Sequence, residues 1–391
     1  MFFSEKKTGR LYILELIFKE SLMHLETLSI HLGNMVTDSH KPAVQPITTS
    51  TTFEHQEGSL IYTRANNPNR SSLEKVLAAL EKGADAAAFA SGNAAALAVF
   101  QALDPGSHVI APDDMYHGIR RQLQEMFKGV LSVDFVDMAD LMAVADAFRP
   151  ETKLVWMETP SNPLLKVSDI RAIAALCEKH GAFLACDNTF ASPVFQNPLV
   201  LGADLVMHSS TKFLGGHSDV LGGALVTKRM NTFWEKVRMV QHIGGAVPSP
   251  FDCYFLVRSI KTLAYRMRAH EANAITLATF LETHPWVEEV FYPGLKSHKG
   301  HAIAASQMSG FSGVLSFTVK GGAAKADQLI SHLHYFTNAT SLGGVESLIE
   351  RRAAVEGPDT KTPPNLIRLS VGLEHVDDLI QDMRQAFDHL G

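Results

Sequence analysis

The sequence predicts an α/β protein: a mainly parallel sheet domain covered on both faces by helices, followed by a smaller C-terminal α+β domain. Three observations predict it. Short apolar runs alternate with stretches of helical periodicity up to about residue 250, the pattern of βαβ units. Beyond that point the alternation gives way to a long helical stretch and more widely spaced strands. The most polar, turn-rich segments follow the apolar runs, where open α/β sheets bind their ligands.

The elements follow in order. Residues 1–22 read as an extension or a misassigned start before Met23. The apolar run at 11–18 contains Glu15, is shorter than the ~20 residues a membrane span needs, and precedes no small-residue cleavage site. Residues 40–70, rich in Pro, Thr and Asn, read as an extended arm. Ser71 or Ser72 is expected to cap a helix that places Leu73, Val76, Leu77 and Leu80 on one face and stops at Gly83. Strands are expected at 86–90, 108–111, 133–136, 154–157, 183–186 and 205–207, with helices at 93–103, 120–127, 140–148 and 170–180. The second domain should open with a helical stretch over 251–280. Strands at 287–291, 314–319 and 367–371 and helices at 323–332 and 376–389 should complete it. The division expected is 1–65 for extension and arm, 66–250 for the sheet domain and 251–391 for the last domain.

Composition removes several classes of function. A chain of 391 residues with 46% hydrophobic and 19% charged residues is ordinary for a soluble globular protein of two domains. Net charge is -6 with acids and bases mixed, so no basic stripe invites nucleic acid or an anionic membrane. The three cysteines, Cys177, Cys186 and Cys253, are widely spaced, which argues against a disulfide framework or zinc knuckle and fits a reducing cytoplasm. The 18 histidines include no H-E-x-x-H, so no metal site is expected.

Chemistry concentrates at the strand ends. Ser91-Gly92-Asn93 at a strand-to-helix junction suits an anion, because glycine admits close approach and the first helical turn offers free N–H groups. Neither G-x-G-x-x-G nor G-x-x-x-x-G-K-[ST] occurs, which argues against a dinucleotide or nucleoside triphosphate. Asp187 closes an apolar strand and needs a cationic partner. Lys212 follows Ser209 and Thr211 in SSTKFLGGHSD. That lysine could be a surface residue, part of an S-x-x-K acyl enzyme, part of a phosphate cradle, or a Schiff-base former. Taken together, these strand ends call for a ligand with one phosphate, one basic nitrogen and one carbonyl, the three handles of pyridoxal 5'-phosphate.

SSTKFLGGHSDVLGGALV (209–226) resembles the lysine segment of the Cys/Met-metabolism enzymes, which include cystathionine γ-synthase and the cystathionine β- and γ-lyases. TRANNPN, ASGNAA, DDMYHG, WMETPSNP, CDNTF, SLGGVESL and RLSVGLE stand in that family's order, and the likeness runs from about Leu25 to the C-terminus. The resemblance implies the aspartate-aminotransferase-like fold of type I, with a seven-stranded sheet. It implies that Lys212 carries pyridoxal phosphate and moves protons, and that Asp187 pairs with the ring nitrogen. Gly92, Asn93, Ser209 and Thr211 would hold the phosphate and Tyr116 would stack on the ring. Tyr62 and Arg64 would reach the phosphate of a neighbouring subunit, so that the arm grips a partner and a dimer is the least active unit, with a tetramer expected. Asn162 would lie near the cofactor's phenolic oxygen, and Arg368, with Ser341 close by, would take the substrate carboxylate.

The chain departs from the commonest family pattern in three places. Asn93 replaces a usual Met; His117-Gly118-Ile119 follows Tyr116 with no cysteine, against a methionine γ-lyase; Thr340 stands where several γ-acting members carry glutamate. The expectation is a C–S lyase cleaving cystathionine, ahead of a γ-synthase joining an activated homoserine to cysteine. A serine acyl enzyme lacks its S-D-N partner, and its K-T-G would fall at Lys7-Thr8-Gly9. A non-catalytic binder would not need Lys212, Asp187 and Tyr116 together.

Overall fold

The computed structural model describes residues 23–34, 42–356 and 360–391; the suggested extension at 1–22 and the first two residues of the arm lie outside them. Seven strands form the larger sheet: β1 (Asp85–Phe89), β2 (His108–Pro112), β3 (Ser132–Val136), β4 (Thr152–Glu158), β5 (Phe183–Asp187), β6 (Leu205–His208) and β7 (Gly223–Thr227). Their order is β1-β7-β6-β5-β4-β2-β3. Strands β3, β2, β4, β5 and β6 run parallel, and β7 is antiparallel to both β1 and β6.

Both faces of the sheet are buried, as the near-continuous apolar strands require. Successive side chains point to opposite sides: Ile110, Val155, Leu184 and Val206 join one core cluster, while Val109, Leu154, Trp156, Ala185 and Leu205 join another. The sequence reading missed β7, because a run opening on Gly222-Gly223 has weak strand propensity. Packing explains the glycine. A Cβ on Gly223 would sit 2.1 Å from the Ser91 carbonyl oxygen, so only glycine lets β7 lie against the Ser91-Gly92 turn.

Several helix boundaries differ from expectation. Asn67, not Ser71 or Ser72, caps the helix Pro68–Leu80 by accepting the Asn69 N–H at 2.9 Å, and Pro68 presets the first turn. That helix ends before Gly83. The helix expected at 120–127 begins instead at His117 and widens into a π turn over Gln122–Met126. The 251–280 stretch is two helices, Pro250–Ile260 and Leu263–Glu282. The first opens with a capping box between Ser249 and Asp252 and buries Cys253, Leu256 and Ile260 in the larger sheet's core.

The smaller sheet comprises β8 (Val287–Phe291), β9 (Val314–Val319), β10 (Thr337–Asn338), β11 (Leu348–Arg351) and β12 (Leu366–Ser370), ordered β10-β11-β12-β9-β8. All pairs are antiparallel except β10 with β11. Leu277, Leu281, Leu329, Leu379 and Met383 from three helices cover it. Strands β10 and β11 were not expected, being short and interrupted by polar residues. No helix among the described residues is long and apolar enough to cross a membrane.

Candidate active site

A cavity of about 260 Å³ lies where the carboxyl ends of β4, β5 and β6 meet the N-terminus of the helix Gly92–Gln101 and the small sheet's β10–β12 face. Gly92, Asn93, Tyr116, Asn162, Asp187, Ser209, Thr211, Lys212, Ser341 and Arg368 all line it. Tyr62 and Arg64 do not: Tyr62 is 43% exposed, and Arg64 Nη1 donates to the His242 carbonyl at 2.6 Å.

At one end Ser91 caps the helix Gly92–Gln101, accepting the Ala94 N–H at 3.1 Å. A Cβ on Gly92 would meet Ser209 Cβ at 2.9 Å, so the two loops close into a tight cradle at the positive end of the helix dipole. The Thr211 hydroxyl exchanges bonds with Gly222 on β7's approach, accepting its N–H at 3.0 Å. The Ser209 N–H donates to Thr189 Oγ1 at 2.9 Å.

In the middle, Asp187 is the last residue of β5 and is buried. Its Oδ1 accepts the Thr189 N–H at 3.0 Å and the Thr189 hydroxyl at 2.5 Å. Burial raises its carboxyl above the usual range against those bonds. Its register partner on β4 is Glu158, which accepts the Tyr116 N–H at 2.9 Å and is held well above the carboxylate range by burial and by Asp187. Tyr116 itself is 41% exposed at the cavity mouth.

Lys212 Nζ donates to Ser341 Oγ at 2.8 Å, not to Ser209, so the S-x-x-K arrangement is not formed. Burial, with Arg368 and Arg352 nearby, brings its ammonium down to about 8. Arg368, on β12, is buried; Nη1 donates to Asn162 Oδ1 at 2.9 Å, and Nη2 to the Ser341 carbonyl at 3.0 Å and Glu350 Oε2 at 3.2 Å. Burial and Arg352 push its guanidinium down to about 10, so it stays charged at neutral pH.

Sequence reasoning missed Glu158, Thr189, Glu350 and Arg352. Glu158 and Thr189 were in view inside WMETPSNP and CDNTF; Glu350 and Arg352 sit on and beside the unrecognised β11.

The residues present fit pyridoxal phosphate. A buried carboxylate, Asp187, that makes no ion pair among the described residues, a glycine cradle at a helix N-terminus and a buried lysine of lowered pKa suit its ring nitrogen, phosphate and aldehyde. The model of the Cys/Met metabolism PLP-dependent enzyme family matches residues 26–388. The chain belongs to that family.

Its relatives in the Cys/Met-metabolism family carry different activities. The chain is 46% identical over 377 residues to cystathionine gamma-synthase of Mycobacterium leprae, covering 93% of this chain and 97% of that one. It is 44% identical to cystathionine beta-lyase of Lactococcus lactis, covering 93% and 99%. The crystal structure of cystathionine gamma-lyase from Lactobacillus plantarum complexed with L-serine superposes with a TM-score of 0.89 at 40% identity, covering 94% and 99%. The chain is therefore a pyridoxal-phosphate-dependent enzyme of carbon–sulfur chemistry with the α/β fold anticipated above.

Proposed function

We propose that this enzyme cleaves cystathionine by elimination, as a β- or γ-lyase. The observation that carries the reading is the Lys212 amine, with its depressed pKa, hydrogen-bonded to Ser341 in the cavity it shares with Asp187 and Arg368. When bound, pyridoxal phosphate supplies an aldehyde that captures amines and a protonated ring that accepts the electron pair left at the substrate's α-carbon. Asp187 would keep the ring nitrogen protonated; Gly92, Asn93, Ser209 and Thr211 would hold the phosphate, and Tyr116 and Asn162 the ring.

Arg368 would bind the substrate α-carboxylate with its planar fork, fixing the α C–H toward Lys212. The Lys212 amine then removes that proton, and for γ-cleavage a second one from Cβ. Thr340, which lines the cavity and donates to Glu350, carries no ionisable group. Lys212 is thus the single amine base among the described lining residues, which suffices for elimination. A second reading, γ-replacement on an activated homoserine, is supported by the 46% identity to a cystathionine gamma-synthase.

The exposed Tyr62, with Ile61, Met239 and Ile243 also exposed, supports an arm that completes a partner's site, hence a dimer or tetramer. Three buried free cysteines support a cytoplasmic location. The same reading keeps 1–65 as extension and arm, 66–250 as cofactor domain and 251–391 as the last domain.

Incubating the purified protein with cystathionine, and separately with an activated homoserine plus cysteine, tests the proposal. Homocysteine with pyruvate marks a β-lyase and cysteine with 2-oxobutyrate a γ-lyase. New cystathionine with no cleavage would establish the synthase instead.

A further inference from the structure

Glu350 occupies a position that the reaction as described leaves unused. It lies on β11, buried, directly across from Arg368 on β12. Its Oε2 accepts Arg368 Nη2 at 3.2 Å and Arg352 Nη1, while its Oε1 accepts the Thr340 hydroxyl. Arg352 is itself anchored by Glu356 at 3.0 Å, so the Glu350 carboxylate is gripped from both sides.

Thr340 leads into Ser341, whose φ of +126° is a conformation that side-chain-bearing residues adopt only when their surroundings impose it. Ser341 has two partners. Its carbonyl accepts Arg368 Nη2 at 3.0 Å, and its hydroxyl accepts Lys212 Nζ at 2.8 Å. The bonds close a ring through Glu350, Arg368, Ser341 and Thr340, with the lysine amine attached at Ser341.

We propose that Glu350 is a positioning residue that couples capture of the substrate carboxylate at Arg368 to the placement of the Lys212 amine. It holds the guanidinium with one oxygen and, through Thr340, the strained Ser341 backbone with the other. A carboxylate drawing on Arg368 therefore loads the same ring that sets where the base stands. The inference rests on the assignment of Arg368 to the carboxylate and Lys212 to the proton.

The test uses the holoenzyme with L-alanine as an α-amino acid probe, read by the change in the bound cofactor's visible absorption, together with kcat and KM on cystathionine. Glu350→Gln should weaken L-alanine binding about tenfold, the scale of one charge-assisted hydrogen bond. Thr340→Val, which leaves the Glu350–Arg368 pair in place, should lower kcat about tenfold while KM moves less than about threefold, and Thr340→Ser should restore it. Wild-type binding and kcat in Glu350→Gln and Thr340→Val would overturn the coupling, as would a Thr340→Ser variant no better than valine. If Glu350→Gln does not fold, the Thr340 pair decides alone. A wild-type enzyme whose absorption responds to no α-amino acid would instead refute the functional reading beneath it.

Discussion

Glu158 and Asp187 end adjacent parallel strands as register partners, both buried and both facing one cavity. Two carboxylates so placed cannot both ionise cheaply. Glu158, raised well above the usual range by burial and by Asp187, is driven toward its neutral form. Glu158→Gln should therefore keep kcat/KM within about threefold, since an amide reproduces the protonated acid's shape and still accepts the Tyr116 N–H. Asp187→Asn, which removes the charge a ring nitrogen needs, should cost at least about a hundredfold in kcat. Steady-state kinetics on both variants check the contrast, and equal losses would count against it.

The Lys212 amine fixes a pH window. A pKa near 8 means that its neutral, nucleophilic form grows as pH rises through 8, well below the range of an exposed lysine. Uptake of pyridoxal phosphate by apoenzyme should accelerate through that window and level off above it. Stopped-flow absorbance from pH 6.5 to 10 would follow the rise, and borohydride reduction should leave the label on Lys212. A rate still climbing steeply at pH 10 would mean that the amine is not depressed.

Arg368 offers a fork, and a point charge cannot replace it. Arg368→Lys keeps the positive charge but loses the paired contacts to Asn162 and Ser341, so KM for an α-amino acid substrate should rise about tenfold or more. Substrate-saturation curves measure it. An unchanged KM would remove Arg368 from the carboxylate site.

Beneath the cavity, Glu81 Oε1 contacts His208 Nε2 at 2.6 Å and accepts the Asn188 amide at 2.8 Å, all three residues being buried. Glu81→Leu would take the partner from His208 Nε2 and leave the Asn188 amide with its bond to the Gln196 carbonyl at 2.8 Å, and the cost should be about 3–5 kcal/mol, the scale for removing one member of a buried polar pair. Urea unfolding of the holoenzyme would register it as a lowered midpoint.

The cofactor end of the site was legible because its residues sit at strand termini, where a hydrophobic run stops and polar residues begin. Asp187 closes β5, and Lys212 follows β6 by four residues, behind the hydroxyls of Ser209 and Thr211. Glu350 and Arg352 were hidden because β11 is four residues long and ends in charges, so neither periodicity nor composition marks it as buried. Cap chemistry was the other weak point. Asn67 precedes Pro68, a stronger start signal than the serines that follow, and it was overlooked because the apolar face begins later.

The glycine that lets β7 press against the Ser91 turn also sets an order of events. Within the larger sheet β1 has β7 as its single neighbour, pairing Asp85 with Thr227 and Phe89 with Gly223. A ribosome-bound chain that has not yet extruded Thr227 has no strand against which to lay β1, and the helix that follows β1 has no fixed base. Non-local closure of this kind is slow and comes late. The cradle proposed for the phosphate, assembled from residues near 92 and near 209, is thus completed only when the sheet's far edge is stitched shut. Stalled nascent chains ending before residue 223 should be cut by protease around 85–92, and chains extending past the last domain should resist it.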